Sequence, residues 1–449
     1  MTLLPGTLDP AFADAGVLNW DFPEFASIAP QAVLSLPDGK LIAVATEPGS
    51  PRGFVVARLT EKGRLDVGTG FGEGQQGFVR ILTPEKHVAE ISGASLLSDD
   101  GMLIIVTYIW PPDKSGFIVV RLLEDGRLNN GFGKGGVLDF PYGAIPATLS
   151  GRTMNGIPAS RSAGQQSEPV VQGGANSGMS GIELPDKKIA LASFGYVPST
   201  GQTRGLITRL NPDGSFDKDF NQTGSASVDL GIAGDSLARG VAAHTEGGLL
   251  VYGDFHDEGI FGSYAVRFTK DGAQDNTFKT VKFSSDRFPA FYDVAVRKRD
   301  GIIALAGGQA GEGAFHGVGI IFVLKGDGSN HPLFNNGQPL IKNVLPETGQ
   351  LWTSCAFGGK DEDTLIVSGT SGDVFLTDDT HAVCARYSLT GELDTSFNGQ
   401  GWVIFDQSDR LEVARDMTVT AQNRIVICGD FHKDRQSFAN SGWIARYLA

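Results

Sequence analysis

Cysteine is scarce in this sequence. The 449 residues include three, Cys355, Cys384 and Cys428, and none of them forms a Cys-x-x-Cys pair. An odd number without metal-type spacing argues against a disulfide framework and against a thiolate zinc site. We predict that the three thiols are small buried hydrophobic groups in a reducing compartment.

Long apolar runs and positive charge are scarce as well. No stretch approaches the roughly 20 apolar residues of a membrane helix, and the first residues lack the basic start and apolar core of a signal peptide. The net charge of −14 repels phosphate groups, so nucleic acid and anionic membranes are poor partner candidates. The lack of a long apolar run predicts no membrane insertion. We expect a soluble cytoplasmic protein, and a signal-less export route stays open.

Helical periodicity is nearly absent, but one motif occurs seven times: a glycine, a short polar stretch and then a phenylalanine. Such a period indicates one supersecondary unit that is repeated and packs against the next copy. The glycines are Gly6, Gly63, Gly126, Gly214, Gly272, Gly328 and Gly391, and the phenylalanines are Phe12, Phe71, Phe132, Phe220, Phe278, Phe334 and Phe397.

Each unit contains four short β-rich runs bounded by Asp-Gly or Gly-Gly turns. In one unit the runs at 32–36 and 40–45 flank an Asp-Gly turn, and a third run covers 53–59. Such runs predict four antiparallel strands. Seven four-stranded units predict an all-β fold, a seven-bladed β-propeller that occupies residues 1–449 as a single domain.

The two ends of the sequence complement each other. Residues 443–448 match the third strand of a unit, and the missing fourth strand, with its motif, is found at residues 6–20. We predict that the N-terminal strand joins the C-terminal blade. This arrangement closes the ring and hides two strand edges that otherwise invite aggregation.

An arginine usually stands five residues before the motif glycine, and an acid three residues after it. We interpret these residues as charge-assisted pairs that brace the turn between the third and fourth strands. In the sixth unit both are lost together, to Val323 and His331, as a direct contact predicts. The pairs are Arg58 with Asp66, Arg209 with Asp217, Arg267 with Asp275, Arg386 with Asp394 and Arg446 with Asp9, while Arg121 faces Asn129.

The unit Ala-Arg-Tyr-Ser-Leu-Thr-Gly-Glu-Leu-Asp-Thr-Ser-Phe-Asn-Gly-Gln-Gly at 385–401 resembles the delta-60 repeat of bacterial β-propeller proteins. The likeness extends along essentially the whole chain, with degenerate copies at Gln274 and at Asn330-His331. The resemblance implies a propeller that usually has no defined activity. It brings no catalytic residues to this sequence.

The longest interval between motifs places an insertion on a loop that runs from a fourth strand to the next first strand. Its core, residues 150–178, is rich in Gly and Ser and carries Arg152 and Arg161. Such a composition cannot build a core of its own. We interpret it as a flexible segment on the binding face, and the alternative is a tolerated surface insertion.

The first strands, aligned on their Asp-Gly turns, put different residue types at one position of the channel mouth. Mixed chemistry at an otherwise repeated position suggests specificity, and the alternative is a solvated rim. We select Arg239, Asp293, Arg415 and the adjacent Asp416 as candidate ligand-binding residues. The aligned residues are Gln31, Gly93, Met179, Arg239, Asp293, Cys355 and Arg415.

A Gly-Asp-Phe-His tetrapeptide occurs at 253–256 and again at 429–432. Asp254, His256, Asp430 and His432 are metal-ligand types, which we place on loops between second and third strands. The two units are three apart in a ring of seven, so their side chains cannot share one ion. We therefore predict no metal and no cofactor, and keep the four residues as candidate ligand-binding groups.

No esterase elbow, zinc-protease helix or phosphate-binding loop is present in the sequence. We predict a monomeric, non-catalytic binding or scaffolding propeller of a bacterial cell, which recognises a protein partner or a glycan on the face bearing the insertion. The alternative is a hydrolase or lyase with a polar or metal site at the channel mouth. As loop anchors we propose the aromatic residues Trp20, Phe22, Phe25, Phe288, Phe291 and Tyr292.

Overall fold

A computed structural model describes the chain apart from residues 1–3, 26–28, 48–52, 84–86, 111–113, 142–179, 198–200, 246, 312–316, 346, 373–375, 408–409, 438 and 440. Its described part forms seven four-stranded antiparallel sheets, each a blade of a β-propeller, and confirms the predicted fold.

The strands follow one another from the inside of each blade to its outside. Blade 1 contains β2 (Pro30–Ser35), β3 (Leu41–Glu47), β4 (Gly53–Leu59) and β5 (Phe78–Leu82). Blade 2 contains β6 (His87–Leu96), β7 (Met102–Trp110), β8 (Lys114–Leu122) and β9 (Val137–Pro141). Blade 3 contains β10 (Gly181–Glu183), β11 (Ile189–Val197), β12 (Gln202–Leu210) and β13 (Ser225–Ser227).

The second half of the chain repeats the arrangement. Blade 4 contains β14 (Asp235–Ala243), β15 (Leu249–Asp257), β16 (Ile260–Phe268) and β17 (Val281–Ser284). Blade 5 contains β18 (Ala290–Val296), β19 (Ile303–Ala310), β20 (Gly317–Leu324) and β21 (Leu340–Ile341). Blade 6 contains β22 (Gln350–Gly358), β23 (Thr364–Ser371), β24 (Ala382–Ser388) and β25 (Trp402–Phe405). Short 3₁₀ turns cover Glu73–Gln75 and Phe334–Gly337.

Blade 7 is built from both ends of the chain, as predicted. Its inner strands are β26 (Leu411–Val419), β27 (Arg424–His432) and β28 (Ser441–Leu448), and its outer strand is β1 (Val17–Trp20). Strand β1 pairs antiparallel with β28, with Val17 opposite Ala445. The ring is closed because the inner strand β2 of blade 1 packs beside β26.

The core lies between the blades. Middle strands lie in the interior along most of their length, as in β4, where all seven residues are buried. Side chains from the facing sides of two neighbouring blades join in one apolar cluster, for example Phe54 of blade 1 with Ile104 of blade 2. The cysteines Cys355, Cys384 and Cys428 are buried free thiols within such clusters, as predicted.

Each motif phenylalanine is wedged against the next blade. Gly63 has a φ of +71°, and a Cβ at this position would lie 2.9 Å from the ring of Phe12. Glycine is therefore needed here for its backbone conformation and for the close approach of the ring. The residue after the phenylalanine donates its backbone N–H to a carbonyl just before the next motif glycine, as Ala13 does to Lys62 at 3.0 Å. The equivalent bonds run from Gly72 to Asp125, Gly133 to Asp213, Asn221 to Asp271, Lys279 to Asp327, Asn335 to Thr390 and Asn398 to Pro5.

The predicted arginine–acid pairs are confirmed in all five complete units. The Nε atom of the arginine lies 2.7 Å from the carboxylate in Arg58–Asp66 and 3.0 Å in Arg446–Asp9. The same guanidinium groups lie over the motif phenylalanine, as Arg58 does over Phe71 at 4.7 Å. The other three pairs are Arg209–Asp217, Arg267–Asp275 and Arg386–Asp394, at 2.5, 2.8 and 2.9 Å.

Blade 5, which lacks this pair, contains a replacement. Arg297, at the end of the inner strand, forms an ion pair with Asp300 at 2.6 Å and donates to the carbonyl of Glu362 in blade 6 at 3.2 Å. Its charge also lowers the pKa of nearby His331, an effect secondary to the burial of that imidazole. Arg121 of blade 2 likewise pairs with Asp99 and not with Asn129. A buried guanidinium on this side of the blade is thus kept even where the repeat is degenerate.

Candidate functional site

The two faces of the ring differ in how they are built. One face, called here the lower face, carries the repeated motifs between third and fourth strands. The opposite, upper face carries the connections between second and third strands and those from one blade to the next. The segment 142–179, which includes the predicted insertion 150–178 with Arg152 and Arg161, lies outside the described residues.

The candidate residues of the inner strands lie beside β-bulges. Arg239 and Arg415 are the extra residues of bulges in β14 and β26, whereas Asp293 and Asp416 directly follow the extra residue of their strand. The residues that the sequence aligned at one position of the channel mouth therefore occupy different positions relative to the bulges, and that alignment is wrong. In blade 6 the extra residue is Thr353, two residues before Cys355. Met179 lies outside the described residues.

The two bulge arginines bind the tetrapeptide aspartates of their own blades. Arg415 makes a bidentate ion pair with Asp430, with Nη2 at 2.9 Å from Oδ2, and Arg239 pairs with Asp254. Both aspartates are buried and lie within β27 and β15, so the prediction that they occupy loops is wrong. A bulge places the extra side chain beside its partner strand, which explains the same pairing in both blades.

The two histidines of the tetrapeptides differ. His432 is 2% exposed, and its Nε2 atom lies 2.6 Å from Oδ2 of Asp430. Burial opposes ionisation of Asp430, but the charge of Arg415 and the bond to His432 outweigh it and hold the pKa of this carboxyl below its usual range. His256 is half-buried and stacks on Phe261 at 4.1 Å. Only blade 7 thus combines arginine, aspartate and histidine in one network among these residues.

Asp293 and Asp416 connect neighbouring blades. Oδ2 of Asp293 accepts the backbone N–H of Cys355 in blade 6 at 2.8 Å, and Oδ2 of Asp416 accepts that of Val33 in blade 1 at 2.9 Å. In each case Oδ1 accepts the N–H of the following residue. The bulge interrupts the strand ladder, and the carboxylates satisfy the N–H groups that it leaves.

The surroundings of these two carboxyls favour their neutral forms. Burial raises the pKa of Asp293 to about 7, against the effect of its N–H bonds, and the charge of Asp416 adds to the increase. Burial also raises the pKa of Asp416 to about 6. The two groups lie on blades 5 and 7, which are not neighbours, and their selection as ligand-binding residues stays a prediction. In its protonated form, each carboxyl is able to donate as well as accept hydrogen bonds.

Most of the predicted aromatic anchors are wrong. Trp20, Phe25, Phe291 and Tyr292 are at most 5% exposed and belong to the packing between strands and blades. Phe288 is 44% exposed and lies on the upper face between blades 4 and 5. It contacts the ring of Phe261 edge-on at 5.1 Å.

Sequence reasoning missed one group of side chains, His381, Asp406 and Glu412. The three residues lie on the upper face where blade 6 meets blade 7, and their ligand atoms all lie within 4.8 Å of one another. No spacing in the sequence points to them, because two come from different connections of blade 6 and one from the inner strand of blade 7. Only the ring order of the blades reveals their proximity.

Comparison with known proteins agrees with the fold. A family model described as a domain of unknown function (DUF5122) beta-propeller matches residues 184–220, which include β11, β12 and the motif up to Phe220. Comparison with curated proteins gives no match. Within the described residues, no helix is long and apolar enough to cross a membrane.

Several solved structures resemble the ring at low identity. The polysaccharide lyase Uly1 is 8% identical, with a TM-score of 0.47 over 96% of this chain and 92% of that one. A protein of unknown function from Dyadobacter fermentans DSM 18053 is 10% identical, with a TM-score of 0.38 over 97% and 100% of the two chains. An α-L-arabinanase from Penicillium chrysogenum, complexed with arabinobiose, is 10% identical, with a TM-score of 0.43 over 81% and 97%.

Proposed function

We propose that the protein is a non-catalytic binding or scaffolding propeller that recognises a protein partner through its upper face. The observation that carries this proposal is the state of the charged groups in the inner strands. Arg239 and Arg415 are bonded to Asp254 and Asp430, and Asp293 and Asp416 are bonded to backbone N–H groups. Side chains used to join strands and blades are poorly suited to the changing contacts of an acid–base mechanism.

The contact surface that we propose centres on exposed apolar side chains of blade 4 and its junction with blade 5. Ile260 and Phe288 are 54% and 44% exposed, and Phe261 links Phe288 to His256 through ring contacts. On the lower face, by contrast, exposed apolar residues such as Val67 and Leu333 occur singly in separate blades. Single exposed apolar residues are ordinary, whereas a contiguous group is typical of a binding surface.

We also propose that the predicted insertion 150–178 is a second element of this contact surface. The proposal also includes the resemblance of the repeat to the delta-60 repeat. This resemblance is consistent with a propeller without a defined activity. A glycan is the other ligand class to test, since exposed aromatic rings are able to stack on sugar faces. We propose that residues 1–449 act as one unit in this binding.

The test compares retention of partners from a bacterial lysate by four forms of the full chain. The double variant Ile260→Asp/Phe288→Ser alters the upper face, a second form lacks residues 150–178, and Leu333→Asp is a matched control on the lower face. We expect a partner that the wild type and the control retain, that either upper-face variant loses, and that rebinds the wild type after purification. Equal retention by all four forms would overturn the proposal, and loss only with Leu333→Asp would move the surface to the lower face.

A second candidate function is supported by Asp293 and Asp416. A carboxyl group with a pKa of about 7, near another carboxyl at about 6, is in the range used for general acid catalysis at neutral pH. The candidate is a hydrolase or lyase that acts at the central channel. Turnover of an oligosaccharide by the wild type and its loss in both Asp293→Asn and Asp416→Asn would favour this function over binding.

A further inference from the structure

The three side chains at the junction of blades 6 and 7 come together from two connections of blade 6 and from the inner strand of blade 7. His381 immediately precedes β24, Asp406 immediately follows β25, and Glu412 is the second residue of β26. Nδ1 of His381 lies 2.9 Å from Oε2 of Glu412 and 4.0 Å from Oδ1 of Asp406. One nitrogen and two carboxylate oxygens thus surround one point of the surface.

Two of the three separations fit a single divalent cation. Zinc binds imidazole nitrogen and carboxylate oxygen at about 2.0–2.2 Å, so two of its ligands lie no more than about 4.4 Å apart. The two distances from His381 meet this limit. The third distance, between the carboxylates, is within 4.8 Å. Asp406, whose side chain is 60% exposed, is able to turn toward the others.

The two less exposed members are held in place by neighbouring groups. The Glu412 side chain is fully buried, and its other oxygen accepts the backbone N–H of Gln407 at 2.9 Å. The backbone N–H of His381 donates to the hydroxyl of Ser371, which is itself within 3.0 Å of the carbonyl of Asp379. Metal ligands are typically oriented by such outer contacts.

The histidine–aspartate pair of blade 7 shows what distinguishes this cluster. Asp430, the partner of His432, also binds the guanidinium of Arg415, and this positive charge opposes the binding of a cation. The charged groups with the largest effect on the pKa of His381 are acidic: Glu412, Asp406 and Asp379. A groove of about 280 Å³ includes Asp406 and Gln407 in its lining. Asp406, at 60% exposure of its side chain, is the member of the cluster that is open to solvent.

We propose that His381, Asp406 and Glu412 form a binding site for one divalent cation of the zinc class, with a coordination position open toward the upper face. The mixed nitrogen and oxygen donors favour zinc or a similar transition metal over calcium and magnesium, which prefer oxygen ligands alone. The cation joins the connections of blade 6 to the inner strand of blade 7. Its open position is available to a carboxylate, imidazole or water oxygen of a bound partner.

The test is a titration of the full chain with Zn²⁺ after treatment with a chelator, followed by calorimetry. We expect one equivalent to bind and about a tenfold or larger loss of affinity in His381→Ala and in Asp406→Asn. Asp406→Asn is the decisive variant, because its exposed carboxylate contributes little to folding. With Co²⁺ as the probe, the wild type should show visible d–d absorption that both variants lose.

Two variants act as matched controls. His256→Ala removes a half-buried histidine of the same face, and Asp378→Asn removes an acid that is 82% exposed near the cluster. Both should bind Zn²⁺ as the wild type does. The proposal is overturned if the wild type shows no saturable binding, if Asp406→Asn and His381→Ala bind as tightly as the controls, or if Ca²⁺ binds as tightly as Zn²⁺.

Discussion

The lower face of the ring repeats one arrangement, whereas the inner strands and the upper face differ from blade to blade. On the lower face, a phenylalanine wedge, a backbone hydrogen bond and in most blades an arginine–acid pair recur at equivalent positions. Where the pair is lost, as in blade 5, Arg297 supplies a guanidinium from another strand. The comparison indicates that the repeated residues of the lower face stabilise the ring. The residues that differ from blade to blade lie in the inner strands and on the upper face.

The sharpest way to break the lower arrangement is to remove the acid at the ring closure. Asp9→Ala leaves Arg446 buried without its carboxylate, and an unpaired buried charge costs about 3–5 kcal/mol. We expect a loss of about 3 kcal/mol in the free energy of unfolding, measured by urea denaturation. Asp38→Ala, which breaks an exposed pair with Lys40, should cost less than about 1 kcal/mol. A similar cost for both variants would contradict a special role for the closure.

Two glycines make it possible to measure the contribution of the phenylalanine wedge to stability apart from that of backbone strain. Gly63 and Gly68 both have a positive φ, but only at Gly63 would a Cβ meet another blade, at 2.9 Å from Phe12. We expect Gly63→Ala to lower the free energy of unfolding by about 2–3 kcal/mol, since strain and overpacking add. Gly68→Ala, with open space around it, should cost about 1 kcal/mol. If both changes lower the free energy of unfolding in urea by the same amount, the contact of Phe12 with Gly63 contributes nothing to stability.

A double-mutant cycle on Arg386 and Asp394 measures the coupling within one lower-face pair. The two groups are 2.9 Å apart and largely buried, so we expect a coupling free energy of about 1–2 kcal/mol. The cycle on Arg127 and Asp125, an exposed pair at 2.7 Å, is the reference and should give less than about 0.5 kcal/mol. Coupling no larger than this reference would remove the structural role that we assign to the repeated pairs.

The inner strands should respond to pH in a way that the lower face does not. The pKa of Asp293 is raised to about 7, so between pH 4 and pH 7 the folded chain keeps a proton that the unfolded chain releases. Stability from this group is complete at low pH and is lost as the pH rises through 7. We expect the difference in free energy of unfolding between wild type and Asp293→Asn to fall by about 2 kcal/mol from pH 5 to pH 7.5. A constant difference would show that Asp293 ionises normally, and a rising difference would show that its pKa in the folded chain is lowered.

The sequence predicted the ring and its closure because these depend on a repeated pattern. Seven motifs gave seven blades, and the joint loss at Val323 and His331 indicated a direct contact between arginine and acid. The inner strands were harder, since each β-bulge shifts the register by one residue and the turn of blade 5, between Val296 and Ile303, is one residue longer than that of blade 4, between Ala243 and Leu249. An alignment on turns therefore brought Asp293 to the position of Arg239, although the two play different roles.

The sequence also did not indicate which side chains of the connections are buried. Trp20 and Phe25 are near turns, yet both are buried in the packing of blade 1 against blade 7. The contact of His381 with Glu412 joins residues of separate blades, and no local pattern records it. Such contacts depend on the order of the blades in the ring.

The pairing of β1 with β28 also sets an order of events during synthesis. Val17 leaves the ribosome early, but its partner Ala445 is made about 430 residues later. At roughly 5–20 residues per second, the first strand waits on the order of tens of seconds for its place. Its shortness, at four residues, limits the edge that is offered to other nascent chains during this delay.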